Sequence, residues 1–417
     1  MILWRHLLPQ DQQAAPAQFP TPSTPQPFAA VEVIAAGLCC AVGHQLAAAS
    51  CALRANMDHF QAGKFMTPKG DPLLLARLPD DKLWGRPRIV KWLIEAARDC
   101  LGITAHDASE GADAVVAEKQ GPWHSDDTTC ALLVLAPRPD PHAPQAGPPG
   151  SAEAQAANMA LQVAQALNLN PHPASGVLFT GRAGLAQALE LASSWLAAGE
   201  LRGQPLNRVL VLAADSLLDV DLIDRFLAEQ RLLCPGNSDG FIPGEAAAAL
   251  LLRAARVPPA MGHAQPTDTD QRRLRIVGVA EGQEPARWGG GIPNRSKGLT
   301  EAVRSACERS GGVLPQALSF RVSDQNGESF YSREAATAFA RLRVGASPQA
   351  SFPHVTLADK IGEVGVATGV AALAWLSHLW ERQQRLPGAR RLGEWGMGVV
   401  HLSQDDGRRA AVIVEPR

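Results

Sequence analysis

No two cysteines in the chain stand at C-x-x-C spacing. The seven cysteines, Cys39, Cys40, Cys51, Cys100, Cys130, Cys234 and Cys307, are an odd number scattered through mostly apolar segments. That pattern argues against a disulfide framework or a zinc site and suits small buried hydrophobes in a reducing cytoplasm. Charge of one sign is lacking too: 39 basic residues against 41 acidic ones leave a formal net charge of -2. With no clustered positive charge, neither nucleic acid nor an anionic membrane is an expected partner. The sequence has no uncharged apolar run of about 18 residues, the length that crosses a bilayer, so no membrane span is expected. The first residues, MILWRHLLPQDQQ, are too short before Pro9 to form a signal-peptide core. A cytoplasmic, soluble protein is the expectation.

What is present is length and apolar content. The 417 residues, 46% hydrophobic, can bury a sizeable core and suffice for two fused halves. Residues 8 to 28 are rich in Pro, Gln and Ala, without a periodic apolar face. Such a stretch cannot bury enough surface to offset its ordering entropy, and it reads as an arm. Similar interruptions at 137–151 and 258–271 read as surface loops. The division that follows is an arm at 1–30, an N-terminal half at 31–257, a linker at 258–271 and a C-terminal half at 272–417.

Between the interruptions, apolar runs of strand length alternate with helical patterns. Strands are expected at 31–37, 130–136, 176–180, 208–215, 246–254, 275–282, 318–323, 398–403 and 410–415. Helices are expected at 43–57, 86–101, 151–167, 183–199, 220–233, 296–310, 332–343 and 363–385. Strands apolar on both faces, alternating with helices, predict an α/β protein with helices on both sides of mostly parallel sheets. The last helix opens EVGVATGVAALAWL, apolar all round, and belongs between two sheets.

One turn raises the question of chemistry. VLFTGRAGLAQALELASSWLAAGE (177–200) reads as a short strand turning sharply into an amphipathic helix, with Arg182 at the turn. The element order resembles the thiolase superfamily and, within it, the β-ketoacyl synthases. The phrases that carry the resemblance are VIAAGLCCAVGHQLAAASCALRANMDHF (33–60), VLVLAADSLLD (209–219) and above all LLCPGNSDGFIPGEAAAALLL (232–252), with Asp239, Gly240, Phe241, Gly244, Glu245 and Ala246 in its pattern.

The resemblance implies a thiolase-like fold, two βαβ-type halves in a five-layer α-β-α-β-α arrangement, and a homodimer in which strand 208–215 or 176–180 pairs across the two-fold. It also implies a Cys at the helix start, where N–H groups and the macrodipole stabilise a thiolate. Two His, or a His and an Asn, would then supply donors for the oxyanion. The Cys position falls on Arg182, within one residue. The first His position falls on Asp324 in SDQNGES, with Gln325 as the alternative register and Gly327 on the motif's second Gly. The second falls on Glu363 in DKIGEVGVATG. A guanidinium stays protonated and cannot act as a nucleophile. No catalytic residue, cofactor or metal is therefore expected.

A narrower resemblance, carried by 64–93, 231–250, 322–342 and 358–369, is to thiolase-like proteins encoded beside type VI secretion genes. It implies an adaptor or effector as protein partner. The alternative is an active acyltransferase, or a chain-length-factor-type partner of an active ketosynthase, which also needs no nucleophile.

Two arrangements of the substituted positions are open. Arg182 could pair with Asp324 and Glu363 as a polar plug, since an unpaired buried charge is costly. Alternatively it points to solvent while the carboxylates cap helices. Asp324, Asn326, Glu328 and Glu363 also offer the paired carboxylates of general acid-base work. Cys234 sits in a loop before Pro235 and not at a helix start, which argues against a surrogate nucleophile, and His354 reads as a packed loop histidine in preference to a base. WGGGIPNRSKG (288–298) reads as a loop, not a phosphate cradle. Trp84 and Trp288, in loops, are candidates for an interface.

Overall fold

The structure, a computed structural model, describes residues 26–80, 82–103, 130–137, 151–255, 272–347, 352–387 and 396–417. Most of the Pro-rich arm, the 138–150 insert and the 258–271 linker lie outside the described residues.

The N-terminal half runs β1 (Val31–Cys40), α1 (Leu46–Arg54), β2 (Phe60–Met66), β3 (Pro72–Ala76), α2 (Gly85–Leu101), β4 (Cys130–Pro137), α3 (Ser151–Ala166), β5 (Gly176–Thr180) and α4 (Gly184–Ala198). The short pair β6 (Glu200–Leu201) and β7 (Gln204–Pro205), then β8 (Arg208–Ser216), α5 (Val220–Ala228) and β9 (Glu245–Ala254) complete it. The C-terminal half runs β10 (Leu274–Gln283), α6 (Lys297–Arg309), β11 (Phe320–Ser323), α7 (Ser329–Leu342), β12 (His354–Thr356), α8 (Ala358–Ile361), α9 (Ala367–Glu381), β13 (Gly398–Ser403) and β14 (Arg408–Pro416).

The main sheet has the order β12-β11-β13-β14-β10-β1-β9-β8-β4-β5. It divides where β1 meets β10, antiparallel over only three residue pairs, Val31 to Ile276 through Val33 to Leu274. Each side of that seam repeats one plan. Three parallel strands, β5, β4 and β8 or β12, β11 and β13, are followed by two antiparallel ones, β9 and β1 or β14 and β10. Counted within its half, each sheet has its strands in the order third, second, fourth, fifth, first. The fold is thus an internal repeat, with α4 and α9 at equivalent places between the third and fourth strands.

These two helices form the middle layer. α9 packs against β9, β1 and β8 of one sheet and β13 and β10 of the other, and α4 likewise reaches β10, β14, β9 and β4. Nearly every residue of α9 is buried, as its apolar sequence predicts. Outside the sheets, α2 and α3 cover the N-terminal half and α6 and α7 the C-terminal half. Five layers result, as expected.

Four readings need correction. The sheets, expected to be mostly parallel, are mixed, with four parallel and five antiparallel pairings among the strands of the main sheet. The helix expected at 363–385 is shorter, α9 running only from Ala367 to Glu381: after α8 ends at Ile361 the chain turns through Gly362 (φ 73°) and Gly365 (φ 54°), so Glu363 lies in the turn. The helix expected at 220–233 stops at Ala228, because Gln230 takes a left-handed φ of 56° and the following residues bridge Leu232 to Phe241. Strand β8, offered as a dimer edge at 208–215, is interior between β9 and β4, whereas β5 stands at the end of the sheet. The β2–β3 hairpin and the edge strand β12 had no reading from the sequence.

Candidate functional site

β5 ends at Thr180 and α4 begins at Gly184, leaving Arg182 in the connecting turn beneath the central layer. Its side chain is only 10% exposed, and a guanidinium there requires counter-charge. Glu363 supplies the first, accepting from Arg182 Nη1 at 2.6 Å. Asp324 lies 3.5 Å from Nε through Oδ2. The structure therefore brings together all three residues singled out from the sequence.

Each carboxylate is fixed by backbone. Glu363 donates its N–H to the Ile242 carbonyl at 2.8 Å, its own carbonyl accepts from Gly244 at 2.9 Å, and its Oε1 accepts from the Gly365 N–H at 2.9 Å. Gly365 is required at this turn: a Cβ on its left-handed backbone would fall 1.9 Å from Asp215 Oδ2. Asp324, just after β11, accepts from the Ser403 N–H at the end of β13 at 2.7 Å. Asn326 donates from Nδ2 to Glu363 at 2.7 Å and to Glu328 at 3.1 Å. Gly327, with φ 114°, lets this turn press against the Gly240 carbonyl.

A second cation extends the cluster. Arg231 grips Glu328 with Nε at 2.7 Å and Nη2 at 2.9 Å, and donates from Nη1 to Asp405 at 2.7 Å. Its guanidinium lies 4.2 Å from the centre of the Trp288 ring, with Phe226 and Phe241 also within cation-π range. Asp405 joins the two arginines, since its Oδ1 is 3.5 Å from Arg182 Nη2. The single tyrosine of the chain, Tyr331, donates its hydroxyl to Asp405 and lies under Arg182, 5.1 Å from guanidinium to ring centre.

Burial disfavours the charged form of Arg182, but Glu363 and Asp324, then Tyr331 and Asp405, outweigh it and raise its pKa above the ordinary value. Burial pushes Asp324 up to about 6, against the pull of Arg182 and the Ser403 N–H. Asp215, packed beside the Glu363 turn, is pushed by burial to about 7 despite accepting from the Val366 and Ser216 N–H groups. Asp405 goes the other way: its side chain is 49% exposed, and the desolvation it does suffer is outweighed by Arg182, Arg231 and the hydrogen bonds from Arg231 and Tyr331, which bring it down to about 2.

The remaining candidates stay out of this cluster. Cys234 sits in a tight turn closed by its N–H bond to the Asn237 carbonyl, and packs beside Leu232 and Phe241. His354, on β12, has its Nε2 2.7 Å from Ser323 Oγ, and burial with Arg321 nearby lowers it to about 4. The paired carboxylates exist, but Glu363 and Glu328 are each engaged by a guanidinium. Trp288 packs on Arg231 and does not stand free as an interface aromatic; Trp84 is 52% exposed, with Arg77 over its ring. Arg231, Tyr331 and Asp405 had no reading from the sequence. The pairing of a lone Tyr with charged neighbours on separate segments is visible only in three dimensions. Cavities of about 440 Å³ and 160 Å³ lie elsewhere, and none of their lining residues belongs to the network.

No family model and no curated protein matches the sequence. Solved structures do match. A ketosynthase from module 6 of the bacillaene synthase of Bacillus subtilis 168 superposes with a TM-score of 0.66 at 14% identity, covering 93% of this chain and 72% of that one. A ketosynthase in complex with its chain length factor, from Xenorhabdus doucetiae, gives 0.65 at 13% identity over 93% and 98%. A β-ketoacyl synthase from Burkholderia phymatum STM815 gives 0.61 at 15% over 94% and 100%.

The fold is that of the ketosynthases. At these identities the likeness establishes architecture alone, and the ketosynthase fold here carries a saturated ion network at the start of its central helix. Among the described residues, no group of three or more His, Cys, Asp or Glu is placed to hold a metal ion, and no helix is long and apolar enough to cross a membrane.

Proposed function

We propose that this chain is a ketosynthase-fold protein without condensing activity, acting through contacts with other proteins. The observation that carries the reading is Arg182: at the turn where the family resemblance puts a Cys, a buried guanidinium bonds Glu363 at 2.6 Å and faces Asp324 at 3.5 Å. On this reading Arg182, Asp324 and Glu363 stand where the nucleophile and the two His would be. No thiolate can form there, and the two positions that would donate to an oxyanion carry acceptor carboxylates instead. A condensation assay with acyl and malonyl thioesters tests it, with no product above the uncatalysed background expected and steady product formation contradicting it.

The finer setting rests on the sequence phrases that resemble proteins encoded beside type VI secretion genes, which favour a cytoplasmic accessory of that system, as a homodimer bound to an adaptor or effector. A second reading has its own support. Ketosynthases with chain length factors are among the structural matches, and a partner of an active ketosynthase would equally need no nucleophile. Native mass spectrometry separates the two: a homodimer that captures a secretion adaptor supports the first, and a stable heterodimer with a ketosynthase supports the second.

A further inference from the structure

The protein pairs its most buried arginines with carboxylates: Arg88 with Glu245, Arg182 with Glu363, Arg231 with Glu328 and Arg409 with Glu334. One cluster at the far edge of the C-terminal sheet breaks that habit. Arg321 on β11 stands directly beside His354 on the edge strand β12, and Ser323, two residues on, stands beside His401 on β13. The period of two puts all four side chains on the same face, toward α7.

There Phe339 of α7 and Phe352 lie 5.6 Å apart between ring centres, with the Arg321 guanidinium 4.8 Å from Phe339 and the Arg343 guanidinium 3.9 Å from Phe352. His401 rests against Phe339 at 5.1 Å. Two guanidiniums and one imidazole thus share one aromatic pair.

No carboxylate among the described residues bonds any of them. Arg343 donates to the Leu318 carbonyl, and His354 meets the Ser323 hydroxyl. Arg321 Nη1 and both ring nitrogens of His401 are buried without a hydrogen-bond partner, and His401 is 1% exposed. Burial lowers Arg321 to about 10 with no acidic neighbour offsetting it, and His401 is depressed by burial, by Arg321 and by His354. His401 is neutral there and offers one donor and one acceptor, so the unsatisfied cationic donor is Arg321 Nη1, and beside Arg343 with no carboxylate it calls for a ligand that accepts hydrogen bonds and carries negative charge.

We propose that Arg321, Arg343 and His354, at the β12 edge of the sheet, form a binding site for a small oxyanion of the phosphate class, held by the guanidinium forks and the edge imidazole. Guanidinium forks match phosphate oxygens in geometry as well as charge. The site is independent of the Arg182 network and of the function proposed above.

The test is calorimetric titration of the full chain with inorganic phosphate, with melting temperature followed in parallel, on wild type, Arg321→Gln, Arg343→Gln and the exposed control Arg341→Gln. Saturable binding is expected, with a ligand-dependent rise in Tm, weakened at least about tenfold by either of the first two substitutions and unchanged by the third. Arg343→Gln, in the less buried arm, serves if Arg321→Gln fails to fold. Repeating the titration with glycerol phosphate distinguishes a free anion from a phosphomonoester: binding of phosphate alone supports the first source, and binding of both supports the second. No heat and no Tm shift in wild type at roughly 10 mM phosphate, beyond the millimolar range of a weak site, overturns the proposal. So does equal affinity in wild type, Arg321→Gln and Arg343→Gln.

Discussion

Arg182 Nη1 donates to Glu363 Oε2 at 2.6 Å, and that single bond ties the turn before α4 in the N-terminal half to the turn before α9 in the C-terminal half. The two turns occupy equivalent places in the internal repeat. The pair is accordingly a staple across the pseudo-symmetric centre, and losing one partner leaves the other charged and buried.

Arg182→Met is expected to destabilise the fold by about 3–5 kcal/mol, the cost of an uncompensated buried charge. Arg182→Met combined with Glu363→Leu is expected to recover part of that, because an apolar pair of similar volume removes both desolvation penalties. Denaturant unfolding of the two single variants and the double variant measures the coupling, and strict additivity would mean that the two side chains do not interact.

The pH dependence follows from burial. Asp215, near 7 in the fold, and Asp324, near 6, both lie above the ordinary 3.8. A raised carboxyl contributes stability that is full below its unfolded value and lost as pH rises through the folded one. Their contribution to the unfolding free energy should therefore decline between about pH 4 and 7, and Asp215→Asn should remove its share of that decline. His354 acts in the opposite sense: depressed to about 4 from 6.5, it contributes fully above 6.5, and that contribution is lost as pH falls toward 4.

Gly365→Ala should cost more than about 1–2 kcal/mol, the ordinary penalty of a side chain on a left-handed backbone, because its Cβ would also meet Asp215 at 1.9 Å. Thermal unfolding checks this. The companion Asp215→Ala, by opening space beside the turn, should relieve part of the cost in the double variant.

Leu373 is fully buried on α9, in the cluster that joins both sheets. Leu373→Ala is expected to destabilise by about 2–5 kcal/mol through lost burial and the cavity left behind. Leu161→Ala on α3, 49% exposed, should change stability little by comparison. Urea midpoints give both.

How much of this was legible in the sequence depends on the kind of signal. Strands such as LVLA in β4 and LLL in β9 announce themselves because both faces are buried, and α9 because it is apolar all round. Helix boundaries at Ala228 and at Glu363 were hidden, since the left-handed Gln230 and the Gly362 and Gly365 turns interrupt patterns that otherwise continue. At the site, Arg182, Asp324 and Glu363 could be named because each falls inside a phrase with a family resemblance. Arg231 and Tyr331 fall inside such phrases but at positions that no motif singles out, Asp405 falls in none, and only packing of the segment after α5, of α7 and of the β13–β14 turn unites them. The missing carboxylate around Arg321 is likewise invisible in a sequence with abundant acids.

Central to the proposed function is that Arg182 stands where the family resemblance puts the nucleophile. Intact-protein mass after incubation with acyl-coenzyme A and acyl-carrier-protein donors, on the native chain and on Arg182→Cys, tests it most directly. The account predicts no covalent acyl adduct on the native protein. A stoichiometric adduct on the native chain, mapped to Cys234 or any other residue, would contradict it.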